Sequence, residues 1–141
     1  MNQAFENSAA REYRQNGIRH EVENASPHRL IQLMMERVLA KISVAKGHME
    51  RNALGPKGQQ ISDAINIING LQVSLNHKAD PKLGSNFDAL YDYMTRRLVE
   101  SNLKNDSAGL DEVAGLMREI KSAWDVIGDR LDGTEASPRT V

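Results

Sequence analysis

The chain contains no cysteine. That removes a disulfide framework, a thiolate nucleophile and cysteine-based metal sites, and it fits a reducing compartment. Aromatic residues make up only 4% of the chain and glycines are few, so an all-β fold has little to be built from. Charge of one sign is missing too: 18 basic side chains stand against 19 acidic ones, for a net charge of −1. No basic block marks a nucleic-acid surface. No apolar run approaches the ~20 residues that a membrane span requires. The start, MNQAFENSAAREYRQNG, is polar and mixed in charge, unlike a secretory signal. These absences lead to the expectation of a cytoplasmic, soluble chain without direct membrane insertion. Its 141 residues fit one domain, which at this size buries roughly 68% of its unfolded surface and needs no covalent staple.

What is present is helical periodicity. Ser26-Pro27 opens a first helix, with serine as N-cap and proline at a position where its missing N–H costs nothing. Leu30, Ile31, Met34, Val38, Ile42, Ala45 and Met49 then share one face. The break Asn52-Ala53-Leu54-Gly55-Pro56 ends it. A second helix from about Lys57 to Asn76 carries Ile61, Ala64, Ile65, Ile68, Leu71 and Leu75 on its face. A third, from about Leu83 to Leu103, uses Phe87, Leu90, Tyr91, Met94 and Leu98. Asn105-Asp106-Ser107 can both turn the chain and cap a fourth helix, whose face is Leu110, Val113, Met117, Ile120, Trp124, Ile127 and Leu131. Asp111 and Glu112 fall in its expected first turn, where the helix dipole favours acids, and Asp132-Gly133 is the expected stop. Four helices of ~20 residues with short connections predict an all-α fold, an antiparallel up-down four-helix bundle. The bundle is expected over residues 26–131. Residues 1–25 are expected to form a flexible, partly ordered capping segment, and residues 132–141 a disordered tail.

Residues for chemistry are scarce. Di-iron bundles need Glu-x-x-His pairs facing inward, and no glutamate here has a histidine three residues later. His20, His28, His48 and His77 are scattered near predicted helix ends or outside helices. There is no Walker loop and no G-x-G-x-x-G. Neither catalytic residues nor a cofactor or metal site is expected, and the chain does not read as an enzyme. A histidine phosphotransfer bundle with His48 as acceptor is the alternative of a different class; an oligomerising structural bundle is a third.

The surface carries more. On the third helix Asn86, Tyr93 and Arg97 form an aromatic and basic stripe beside the core face, with Leu90 bridging to it. Ile67 widens the apolar arc of the second helix, and Val73 lies on its far side. Leu33, Ala40 and Val44 make a second stripe on the first helix. Wide faces and single exposed hydrophobes are ordinary in globular bundles. They also suit grooves that receive amphipathic helices of a partner, for which tyrosine and arginine make good edges. Phe5, Ala9 and Tyr13 would share one face if residues 4–14 became helical, and so short a helix needs a groove to lie on.

Three stretches together resemble the flagellin-specific export chaperone family, FliS: ASPHRLI at 25–31, ISDAINIINGLQVSL at 61–75 and, most specifically, NFDALYDYMTRRLVESN at 86–102. Asn105-Asp106, Trp124 and Tyr13 also fit. The resemblance covers about residues 10 to 131. It implies a cytosolic bundle that binds the disordered C-terminal segment of newly made flagellin, prevents premature polymerisation and delivers it to the flagellar type III export apparatus. The segment wraps round the bundle as short helices and extended pieces. The export gate protein is a further implied contact, and a monomer or weak dimer the implied state. Carried over by position, the candidate groove residues are Ile61, Ile65, Ile68, Leu71, Leu90, Tyr93, Met94 and Arg97, with Ile67 added from the helix wheel and Tyr91 in the same motif. Phe5, Ala9 and Tyr13 are the candidate N-terminal cap. Where relatives have Leu-Tyr-Asp-Gly after the first opening, this chain has Leu33-Met34-Met35-Glu36-Arg37. Methionine is flexible and polarizable enough to serve varied partners, but the tyrosine and glycine are lost.

Overall fold

The structure is a computed structural model and describes residues 23–75 and 81–136. The chain divides into two compact units, residues 1–30 and 31–141. Four helices and no strand occur among the described residues: α1 (Pro27–Glu50), α2 (Leu54–Val73), α3 (Pro81–Lys104) and α4 (Ser107–Ala136).

Helix ends follow the backbone groups left to satisfy. The Ser26 hydroxyl accepts the Arg29 N–H at 3.1 Å and so caps α1. At the other end Asn52 takes a left-handed conformation (φ 58°). Its N–H bonds the Met49 carbonyl, and the Ala53 N–H bonds that of His48 at 2.8 Å. This is the paired Schellman closure of a helix C-terminus. Asn105 (φ 52°) makes the same left-handed turn after α3, with the Asp106 N–H reaching the Ser101 carbonyl at 3.0 Å. Asp106 Oδ1 then caps α4 by accepting the Ala108 N–H at 3.0 Å. Two asparagines thus make the turns, and no described glycine has a positive φ.

Several boundaries differ from the sequence expectation. Helix α2 begins at Leu54 and takes Gly55-Pro56 into its first turn, where proline displaces no hydrogen bond. It stops at Val73 rather than Asn76; just beyond, the Ser74 hydroxyl donates to the Leu71 carbonyl at 2.7 Å. Helix α3 starts at Pro81 and α4 at Ser107, so Asp111 and Glu112 stand in the second turn of α4, not its first. Helix α4 also runs through Asp132-Gly133 to Ala136. A helical glycine costs only about 1 kcal/mol against alanine, which does not end a helix by itself.

Residues 31–136 form the bundle. Cross-links show that each neighbouring pair is antiparallel. Gln32 bonds Asp125 at 2.7 Å while Lys46, farther along α1, bonds the earlier Asp111 at 2.8 Å on α4. Lys41 pairs with Asp63 at 3.2 Å, and Met34 lies against Gly70, tying α1 to α2. Gln72 reaches Asp92 at 2.9 Å, and Lys57 reaches the Asn102 carbonyl at 2.9 Å, tying α2 to α3. The core holds Met35, Val38, Ile42, Ala45 and Met49 of α1 and Ile61, Ala64, Ile68 and Leu71 of α2. Tyr91, Met94 and Leu98 of α3 and Leu110, Val113, Ala114, Met117 and Ile120 of α4 complete it. Phe87 stacks on Tyr91 with ring centroids 6.3 Å apart. Burial pushes the Tyr91 phenol up to about 12. No described helix is long and apolar enough to cross a membrane.

Candidate partner-binding site

The nine candidate groove residues separate into two sets. Ile61, Ile68, Leu71 and Met94 are core residues, each at most 1% exposed. They lie where the periodic face of each helix meets the bundle interior, so a partner could touch them only by opening the bundle. In the described bundle these four side chains line the interior. Ile65, Ile67 and Leu90 are partly buried and pack against the core from its edges. Tyr93 is 36% exposed, and the Arg97 side chain is 19% exposed.

The outer set does not converge on one groove. Ile65 lies midway between Gly58 and Gln72, both of which face α3, so it stands on the α2–α3 seam. Ile67 lies between Asp63 and Gly70, which face α1, so it stands on the α1–α2 seam. Tyr93 and Arg97 border the α3–α4 seam, and Leu90 shares their side of α3.

That last seam is built from charge. The Tyr93 hydroxyl donates to Glu112 Oε2, and Arg97 Nε donates to Oε1 of the same carboxylate at 2.7 Å. The remaining Arg97 nitrogens reach Glu100 at 2.7 Å and Asp106 at 3.2 Å. One guanidinium therefore collects three carboxylates from the end of α3, the turn and the start of α4. The Tyr93 bond and then Arg97 hold the Glu112 carboxyl below its ordinary range. Tyr93 and Arg97 are both shifted up, chiefly by Glu112. Beneath the cluster α3 and α4 come very close. A Cβ on Gly109 would stand 1.8 Å from the Ser101 hydroxyl oxygen, and that buried hydroxyl already donates to the Arg97 carbonyl at 2.8 Å.

Glu112, Gly109 and Lys57 were missed by sequence reasoning. Lys57 is only 5% exposed and donates to the Asn102 carbonyl and the Asn105 side chain. It acts as the terminal cation of α3, although it sits in α2. A lysine four residues before an apolar stripe, on that stripe's own face, was the available signal. Gly109 had none, since its role depends on Ser101 across the seam.

The other candidates fall differently. Phe5, Ala9 and Tyr13 lie outside the described residues. Val44 and Val73 are exposed, and Val99 and Leu103 on α3 are exposed hydrophobes that the sequence did not single out. No group of histidine, aspartate and glutamate among the described residues could hold a metal ion. His48 stands in the last turn of α1, its ring Nδ1 3.2 Å from the Arg51 guanidinium.

The profile of the family described as "Flagellar protein FliS" matches residues 9–131. The chain belongs to the FliS family. A FliSB of Pseudomonas aeruginosa, named a flagellar secretion chaperone, is 46% identical over 119 residues, 84% of this chain and 94% of its own. A FliS of Salmonella typhimurium with the same descriptive name is 35% identical over 130 residues, 92% and 96% of the two chains. That of Escherichia coli is 42% identical over 113 residues, 79% and 83%. FliS proteins are chaperones, not enzymes, which displaces the phosphotransfer reading of His48.

Proposed function

We propose that this chain is a cytosolic export chaperone that binds the disordered C-terminal segment of flagellin. In this reading it prevents premature polymerisation and delivers flagellin to the flagellar type III export apparatus. The observation that carries it is the set of apolar and aromatic side chains left at the seam edges after the core is filled: Ile65, Ile67, Leu90 and Tyr93. They occupy three seams, which suits a long partner that wraps better than a single short helix. Membership of a family of flagellar secretion chaperones supports the same reading.

The physics of the task agrees. A disordered segment that folds on binding has ordering entropy to overcome, so it needs a large apolar contact. The interface should exceed the common ~1,600 Å². With a net charge of only −1, binding should depend weakly on salt. Phe5, Ala9 and Tyr13 serve in this account as a cap that the flagellin segment displaces, and the export gate protein is a later contact of the loaded chaperone. The test is polymerisation of purified flagellin followed by light scattering. One equivalent of the chain should suppress growth of the signal. Unchanged polymerisation, with both proteins folded, would overturn the reading.

A further inference from the structure

The α2–α3 seam has polar links at its two ends and an orphan at its middle. At one end Gln72 donates to Asp92 Oδ1 at 2.9 Å and to the Asp88 carbonyl at 3.4 Å. At the other, Lys57 holds the Asn102 carbonyl at 2.9 Å, and Gly58 faces the Asn102 side chain. Seven residues make two helical turns and return to the same face. Two turns back from Gln72 is Ile65, and two more reach Gly58. Two turns on from Asp88 is Thr95, and two more reach Asn102. Because the helices are antiparallel and both end pairs face each other, Ile65 and Thr95 stand opposite one another at the midpoint. Among the described residues no hydrogen bond crosses the seam between its two ends.

Thr95 Oγ1 is buried without a hydrogen-bond partner, the one such side-chain atom among the described residues. A helical threonine commonly rests its hydroxyl on a carbonyl one turn back. This one does not, and a buried hydroxyl left unpaired costs free energy. Ile65, its opposite number, is only partly buried. The middle of the seam therefore combines an apolar side chain that is only partly buried with a polar atom in need of a partner.

We propose that Thr95 reads the flagellin segment. Ile65 turns aside, and an extended stretch of the segment presents a backbone carbonyl to the Thr95 hydroxyl. This rests on the flagellin reading above. Extended backbone is the favoured source because the inner carbonyls of a helix are already occupied by their own helix, whereas an unpaired strand offers one at every residue.

The test uses two variants of the full chain. Thr95→Val keeps the shape and removes the hydroxyl; Thr95→Ser keeps the hydroxyl. Each is melted alone and titrated with a synthetic peptide of the last ~40 residues of flagellin, long enough for coupled folding and binding. Thr95→Val should melt a few degrees higher yet bind about tenfold more weakly, the loss of one hydrogen bond. Thr95→Ser should bind within about twofold of the native chain. Native-like binding by Thr95→Val overturns the proposal. So does a lower melting temperature for Thr95→Val, which would give the hydroxyl an internal partner. If the native chain itself fails to bind the peptide, the flagellin reading falls and this proposal falls with it.

Discussion

Helix α3 is held on both sides, by different means. Toward α4, Arg97 gathers Glu100, Asp106 and Glu112, and Gly109 admits Ser101 at a distance no larger residue would allow. Toward α2, polar links close only the ends, and the middle is Ile65 opposite an unpaired Thr95 hydroxyl. One seam carries charged links across it and the other carries polar links only at its ends.

The contrast can be broken most forcefully at Gly109. Gly109→Ala drives a methyl into the Ser101 hydroxyl, whose site is fully buried. Overpacking of this kind should lower stability by about 3 kcal/mol, read by denaturant titration, and Ser101→Gly in the same chain should recover part of it. A native melting curve for Gly109→Ala would show that the α3–α4 seam is not closely packed.

A smaller loss is expected at the end of the other seam. Lys57→Met keeps the stem of the side chain but leaves the Asn102 carbonyl and the Asn105 side chain without their cation. The cost should be about 1–2 kcal/mol. Amide exchange in the last turn of α3 should quicken more than elsewhere; uniform quickening would mean that Lys57 only fills space.

The carboxylate cluster gives a pH signature. Glu112 is lowered in the folded chain, so its contribution is fully present above the ordinary glutamate range. It is lost as pH falls through the lowered folded value. The native chain should therefore lose melting temperature more steeply than Glu112→Gln between neutral pH and about pH 3. Because the Glu112 side chain is 40% exposed, salt should shrink the difference. Parallel curves would remove the cluster from the account of stability. Least affected in stability should be Tyr93→Ala, since the residue lies outside the buried core. Its effect should fall on flagellin affinity, and a collapse of the fold instead would place Tyr93 in the structural core.

Much of this fold was legible because burial imposes a period. Val38, Ile42, Ala45 and Met49 recur at helical steps and are all buried, and the Ser26-Pro27 opening read correctly as a cap. Local punctuation was read less well. Gly55-Pro56 and Asp132-Gly133 resembled breaks, but both lie inside helices. Asn52 and Asn105 carry the left-handed turns instead. A glycine marks a turn only where the backbone needs its freedom, and tertiary packing decides that. The candidate surface was harder still. A helix wheel shows which residues share a face but not which of them a neighbouring helix covers. Ile61, Ile68, Leu71 and Met94 were therefore grouped with Ile65 and Tyr93 until the neighbours were in place. Tyr93 and Arg97 did stand outside the core, as their stripe suggested. Their partner Glu112 is contributed by another helix, and no spacing within α3 could reveal it.

Titration calorimetry of the native chain with the last ~40 residues of flagellin, at several temperatures, tests the central claim most directly. One-to-one binding is expected, with a large negative heat-capacity change and little dependence on salt. Absence of binding, with chain and peptide both intact, would contradict it.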